Sequence, residues 1–211
     1  MLVGASERWL AKMRDIDELF LQGVDQVWPE CRKHFDTSSY ENPISDQLVA
    51  LLKRSPIGRG RFLIDLRSKE PELDRNGKAF IRGELDIKVF FTLREDVFLI
   101  YECKRLNVTY PSGKRASLAG DYIEQGMMRF VTGQYARELP FGAMLGYVLD
   151  GDVDRASSAI RKAIGERLSP LGMTNAVPVS LNPIGIITHF STVHDRLSFS
   201  KIEVRHALLP L

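Results

Sequence analysis

The sequence predicts a mixed α/β fold, a central sheet with helices on both of its faces. Three observations predict it. Apolar residues recur at helical spacing in separated stretches, at residues 6–21, 44–54 and 152–168. Between the first two stretches and the third lie runs that alternate apolar and polar residues and are joined by short polar turns. Residues 141–150 (FGAMLGYVLD) are almost continuously apolar and sit between two helical stretches, the pattern of a buried parallel strand.

Taken in order, residues 6–21 carry Trp9, Leu10, Met13, Ile16, Leu19 and Phe20 on one helical stripe, and a second helical stretch to about residue 35 is expected to be interrupted by Pro29. The turn-rich DTSSYENP closes this part. In ISDQLVALLKR, Ile44, Leu48, Leu51 and Leu52 form a stripe, with Ser45 the expected N-cap. RFLIDLRS reads as a strand. Asn76-Gly77 is a strong turn pair and is expected to join it to AFIRGELDIKVFFT. The polar turn at residues 93–96 (LRED) then leads to DVFLIYECKRL, completing a three-strand meander. NVTYPSGKRAS reads as a loop, residues 118–139 as a helix stopped by Pro140, and residues 152–168 as an amphipathic helix. NPIGIITHFST and IEVRHALLPL read as two closing strands.

The chain has 211 residues, 44% of them apolar, which allows one generous core with a small helical extension. The expected division is a helical extension over residues 1–40 and an α/β domain over 41–211. No apolar run is long enough to cross a bilayer. Charges begin at Glu7 and Arg8, unlike a secretory leader, so a cytoplasmic location is expected, with Cys31 and Cys103 as free thiols. The net charge of +2 is too mild to imply a nucleic-acid partner by itself, so local clusters must carry any such expectation.

The meander poses a chemical question. Side chains alternate along a strand, so Leu85, Ile87, Val89 and Phe91 share one face while Arg82, Glu84, Asp86 and Lys88 share the other. On the following strand Glu102 and Lys104 share a face with Phe98 and Ile100. A hairpin centred near residues 93–96 puts Asp86 opposite about residue 102–104. Asp86, Glu102 and Lys104 are therefore expected together on one face. Two adjacent carboxylates repel unless a cation lies between them. Hard oxygen ligands suit Mg²⁺, which lowers the pKa of a bound water and stabilises charge on a phosphate. A neighbouring lysine can orient that water. The alternative is a solvated salt-bridge ladder on a half-exposed sheet.

GELDIKV followed by LIYECKRL, an Asp on one strand and Glu-x-Lys on the next, resembles the PD-(D/E)xK, or restriction-endonuclease-like, nuclease superfamily. Asp86, Glu102 and Lys104 match its motif residue by residue, with Leu85 standing where the superfamily's name has proline. The α-β-β-β-α-β order over residues 41–150 resembles its core. The resemblance implies a metal-dependent DNA nuclease using Mg²⁺, with Mn²⁺ as a substitute. Asp86, Glu102 and the backbone carbonyl of Cys103 would bind the metal, and Lys104 would position or activate the water. It also implies an acid on the preceding helix, Glu41 or Asp46, of which Glu41 is favoured by its place at the helix entrance. The helix after the meander offers Tyr122, Gln125 and Arg129, and Gln125 is the candidate to orient the lysine or a phosphate. Compact members of the superfamily act as dimers or beside an ATPase subunit, and antiphage defence is a setting by analogy. The alternative is a catalytically inactive nucleic-acid-binding or scaffold subunit that keeps the nuclease fold.

Basic residues flank the expected site as two clusters, Lys53, Arg54, Arg59 and Arg61, then Lys104, Arg105, Lys114 and Arg115. Such residues position a duplex through its phosphates without reading its sequence. The four histidines read as structural and unclustered, and Cys31-x-x-His34 is half a zinc site without its other half.

Overall fold

A computed structural model describes residues 6–91, 97–174 and 178–211. Its elements run in the order α1 (Ser6–Cys31), a 3₁₀ turn (Arg32–His34), α2 (Glu41–Arg54), β1 (Leu63–Leu73), β2 (Ala79–Phe90) and β3 (Phe98–Leu106). There follow the two-residue strands β4 (Val108–Thr109) and β5 (Arg115–Ala116), then α3 (Ala119–Asp121), a π-helical turn (Tyr122–Met127) and α4 (Met128–Val131). The chain closes with β6 (Phe141–Val148), α5 (Val153–Gly165), β7 (Val179–Ser180), β8 (Thr188–Arg196) and β9 (Phe199–Pro210). The described strands form a seven-stranded mixed sheet, ordered β1-β2-β3-β6-β9-β8-β7, with β4 and β5 paired separately. The architecture is mixed α/β. No helix among the described residues is long and apolar enough to cross a membrane.

Helix α1 lies on one face of the sheet. Phe20 stacks on Tyr101 at 4.6 Å between ring centroids, and Trp28 stacks on Tyr147 at 5.7 Å. The Trp28 indole N–H also donates to the carbonyl of Pro210 at 2.6 Å. The helix runs through Pro29 without the expected interruption. Proline deprives a helix of one hydrogen bond, and so near the C-terminus that loss is outweighed by burying Trp28 and Cys31, both 0% exposed.

Helix α2 begins earlier than expected. Tyr40 is its N-cap, Glu41 its first residue, and Pro43 falls in the first turn, where proline is tolerated. Ser45 is not a cap. Its hydroxyl donates to the carbonyl of Glu41 at 3.0 Å and meets the Tyr147 hydroxyl at 2.9 Å, tying the helix down to β6.

The meander is antiparallel throughout, β1 on β2 and β2 on β3, with Ile87 opposite Tyr101 and Phe90 opposite Phe98. That register lies at one end of the expected range. The expected turn at residues 93–96 lies outside the described residues. Strands β3, β6 and β9 are parallel, and every residue of β6 is buried, as its unbroken apolar character requires. Strand β8 then adds antiparallel to β9, and β7 antiparallel to β8. No pattern in the sequence points to β7. β8 starts only at Thr188, because residues 184–187 close a tight turn with paired backbone bonds between Ile184 and Ile187.

The helix expected over residues 118–139 is shorter and irregular. It ends at Val131, since Gly133 adopts φ +74°, a left-handed conformation that terminates helices, and the chain turns back well before Pro140. Its middle is the π-helical turn. α4 presses on the opposite face of the sheet from α1. A Cβ on Gly142 would come within 2.4 Å of the Phe130 ring, so only glycine admits that contact.

Two of the four histidines do meet, against expectation. The His194 and His206 Nε2 atoms lie 2.7 and 2.9 Å from the Thr192 hydroxyl. His194 Nδ1 reaches the Leu171 carbonyl at 2.8 Å, and His206 Nδ1 reaches the Tyr122 hydroxyl at 3.1 Å. Neutral rings satisfy all four contacts in one direction, Tyr122 to His206 to Thr192 to His194 to Leu171. Burial holds both rings below the ordinary histidine range. His206 and Thr192 stand on neighbouring strands, and Tyr122 and Leu171 come from distant parts of the chain, which is why spacing did not reveal the group. Both cysteines are free and buried.

Gly142→Ala is expected to lower stability by about 1–3 kcal/mol through overpacking against Phe130. Thermal melting followed by circular dichroism should show it as a loss of several degrees.

Candidate active site

Strands β2 and β3 part company just past the pair Ile87–Tyr101. Asp86 and Glu102 are the next residues on either side. Where the ladder would continue, the Asp86 carboxylate takes the place of a strand partner, its Oδ2 accepting the backbone N–H of Cys103 at 2.7 Å. A short polar side chain thus satisfies a backbone donor at the fork and is fixed there by it.

Glu102 is 0% exposed. Its Oε1 lies 2.8 Å from Lys104 Nζ and 3.2 Å from Arg129 Nη1. Lys104 Nζ also donates to the carbonyl of Cys103 at 2.9 Å and to Glu41 Oε1 at 3.3 Å. One ammonium therefore collects Glu102, Glu41 and the Cys103 carbonyl. Glu41 reaches it because α2 starts at that residue. Asp46 points elsewhere and pairs with Arg67 at 2.5 Å. Arg67 has φ +47°, an uncommon conformation for a non-glycine residue, on the β1 segment facing Asp86.

The stem of Lys104 passes beneath the π-helical turn. A Cβ on Gly126 would stand 2.4 Å from Met144 Cε and 3.4 Å from Lys104 Cγ. Glycine at this place lets the turn descend onto the lysine, and π turns recur where a helix is bent to serve a site. Gln125, one residue earlier, is exposed, and its amide donates to Asp121 Oδ1 at 3.4 Å. It shares with Glu41, Lys104, Arg105 and Tyr40 the wall of a cavity of about 560 Å³. Glu102 is met instead by Arg129, four residues on. Arg129 Nη1 also donates to the Tyr135 hydroxyl, which donates in turn to the Glu84 carbonyl at 2.5 Å. The sequence offers Arg129 beside Tyr122 and Gln125 but favours Gln125, and it does not single out Tyr135, which lies beyond the end of the helix. The i, i+4 spacing of Gln125 and Arg129 was the one available signal.

Burial dominates the electrostatics. It pushes the Glu102 carboxyl up to about 7, with the Asp86 charge adding to it and Lys104 and Arg129 opposing. Burial also raises Asp86, against the Cys103 N–H and Lys104. For Lys104 burial pulls the other way, but Glu102, Glu41 and Asp86 outweigh it and hold the ammonium above its ordinary value. The Cys103 thiol accepts from the Tyr147 hydroxyl at 3.3 Å, and burial takes it well above the thiol range, leaving its carbonyl as the group that faces the site.

Among the described residues no three Asp, Glu, His or Cys side chains stand closed around one point as a ready metal centre. The ammonium of Lys104 occupies the middle of the oxygen set. The donors nonetheless fit a hard divalent cation by their chemistry: carboxylates of Asp86, Glu102 and Glu41 with one backbone carbonyl. Glu102 Oε1, fully buried and lacking an aligned hydrogen bond, is an oxygen that such an ion would satisfy.

A carboxyl whose pKa is raised on folding costs stability above its unfolded value of about 4.3. That cost grows as pH rises from there to about 7 and levels off above it. Denaturant unfolding in EDTA should therefore show Glu102→Gln gaining on the parent protein from pH 5 to pH 8, with little difference near pH 4. A gain independent of pH would contradict the buried-charge origin.

No family model, no curated protein and no solved structure matches the chain.

Proposed function

We propose that the protein is a Mg²⁺-dependent DNA nuclease of restriction-endonuclease-like architecture. The observation that carries this reading is the meeting of Asp86, Glu102, Lys104, Glu41 and the Cys103 carbonyl at the fork between β2 and β3. The order α2, meander, helical turn, β6 supports the same architecture.

Asp86, Glu102, Glu41 and the Cys103 carbonyl would hold the ion, with Mn²⁺ able to replace Mg²⁺. When bound, it supplies charge stabilisation at a phosphoryl oxygen and a water of lowered pKa. Lys104 is protonated, so its part is that of a donor. It orients the attacking water and offers a positive charge to the phosphate. Asp86 is fixed by the Cys103 N–H, which spares it the entropic cost of being ordered at each turnover. Lys53, Arg54, Arg59, Arg61, Lys114 and Arg115 are exposed and would meet the duplex backbone. Arg105 is different, lying on the exposed Tyr40 ring at 4.5 Å and donating to the Ser39 carbonyl. A homodimer, or a complex with an ATPase subunit in an antiphage or DNA-processing setting, belongs to the same proposal.

One observation favours a second reading, a non-cutting nucleic-acid-binding or scaffold subunit. Glu102 already has two cations beside it, so that buried carboxylate is paired without a metal.

Incubation with plasmid and single-stranded DNA separates the two. The nuclease reading expects cleavage with Mg²⁺ or Mn²⁺, none in EDTA, and a loss of at least about 10²-fold in Lys104→Ala, the scale of one proton-handling group. Duplex binding without cleavage of either substrate would leave the scaffold reading.

A further inference from the structure

We propose that Arg129 is a phosphate anchor released by the metal: it neutralises Glu102 in the metal-free protein and turns to a phosphodiester oxygen of DNA once a divalent cation engages Glu102. The proposal rests on the nuclease reading above and adds a coupling between metal and DNA binding.

The charge balance of the site motivates it. Among the described residues three carboxylates, Asp86, Glu102 and Glu41, face two side-chain cations, Lys104 and Arg129; Arg67, also near Asp86, is already paired with Asp46. Adding a divalent ion turns a deficit of one positive charge into a surplus of one, the charge that a single phosphodiester carries. The surplus cation must find an anion or repel the ion.

Arg129 is built to be the one that moves. Among the described residues its one carboxylate partner is Glu102, reached at 3.2 Å on Oε1 and 3.3 Å on Oε2. Its side chain is 32% exposed while the carboxylate is 0% exposed, so the guanidinium approaches from the solvent side. Its other hold is neutral. The Tyr135 hydroxyl accepts from Nη1, and the guanidinium carbon lies 5.3 Å from the ring centroid. Tyr135 is itself fixed, donating to the Glu84 carbonyl and seated where a Cβ on Gly83 would be 2.5 Å away. A guanidinium held at a fixed neutral post can swing from a carboxylate to a phosphate without being lost to solvent, and its planar fork suits both. Lys104 differs: 11% exposed and tethered to Glu41 and the Cys103 carbonyl as well as Glu102, it can shift among these oxygens for an ion but has no open path to a phosphate outside.

The test uses two measurements on the full chain. Mn²⁺ is titrated calorimetrically without DNA, and a labelled duplex is titrated in Ca²⁺ and again in EDTA. Arg129→Gln removes the competing cation, so Mn²⁺ is expected to bind several-fold tighter. Duplex affinity in Ca²⁺ should fall by about tenfold, the scale of one charge-assisted hydrogen bond, and should fall less in EDTA. A merely structural role predicts weaker binding of both. Arg129→Lys should move both affinities in the same directions by less, and it carries the test if the Gln variant does not fold. Unchanged or weaker Mn²⁺ binding in a folded variant overturns the proposal, as does an equal loss of duplex affinity in Ca²⁺ and EDTA. Absence of Mn²⁺ binding by the parent protein defeats the nuclease reading itself, a result distinct from either.

Discussion

The structure turns on one buried carboxylate. Glu102 sits inside the sheet with no access to water, and a charge so placed must be paired or given up. Two cations answer it, and a neighbouring carboxylate works against them. Lys104 comes from two residues along the same strand, Arg129 from the helical stretch above, and Asp86 from the neighbouring strand, where it raises the demand for positive charge. Such an arrangement contributes little to stability, since desolvation offsets most of the Coulomb attraction. Its value is chemical, because the oxygens gathered there present an unmet preference for a cation.

Strand β3 organises the rest by its alternation. Its even residues, Glu102 and Lys104, supply the site, while its odd residues face α1 and α2. Tyr101 donates to Asp17 Oδ1 at 2.8 Å, and Asp17 Oδ2 lies 3.3 Å from Arg205 on β9. Burial lifts Asp17 to about 6 despite Arg205 and Tyr101. Arg205 Nη1 reaches His189 Nδ1 at 3.0 Å, and Arg14 pairs with Glu203 beside it. Helix α1 is thereby bonded to two strands behind the site, β3 and β9, as well as packed on the sheet. The backbone that carries Glu102 is held from below by groups that never enter the cleft.

On the opposite face the approach distances are set by missing side chains. Gly126 lets the π turn settle over the lysine stem, and Gly142 lets Phe130 reach β6. Those close contacts place Arg129 over Glu102. The early end of the helix at Gly133 then lets the chain fold back so that Tyr135 meets Arg129.

The amino-acid sequence by itself determined the alternation of β2 and β3, the hairpin register, the buried parallel strand at β6 and the mixed α/β class, because strand period and turn chemistry are local properties. It thereby determined that Asp86, Glu102 and Lys104 share a face. It did not reach past the helix irregularity at residues 122–127, the start of α2 at Glu41, or the pairing of His194 with His206. Those outcomes depend on contacts between residues far apart in the chain: the tie of Ser45 to Tyr147, the descent of Gly126 onto Met144 and Lys104, the sharing of Thr192. Only the tertiary structure decided that Glu41 meets the lysine while Asp46 is held by Arg67, and that Arg129 with Tyr135, rather than Gln125, stands over the carboxylate. The physical reason is that a side chain's face follows from its own strand or helix, whereas its partner follows from how closely two elements can approach.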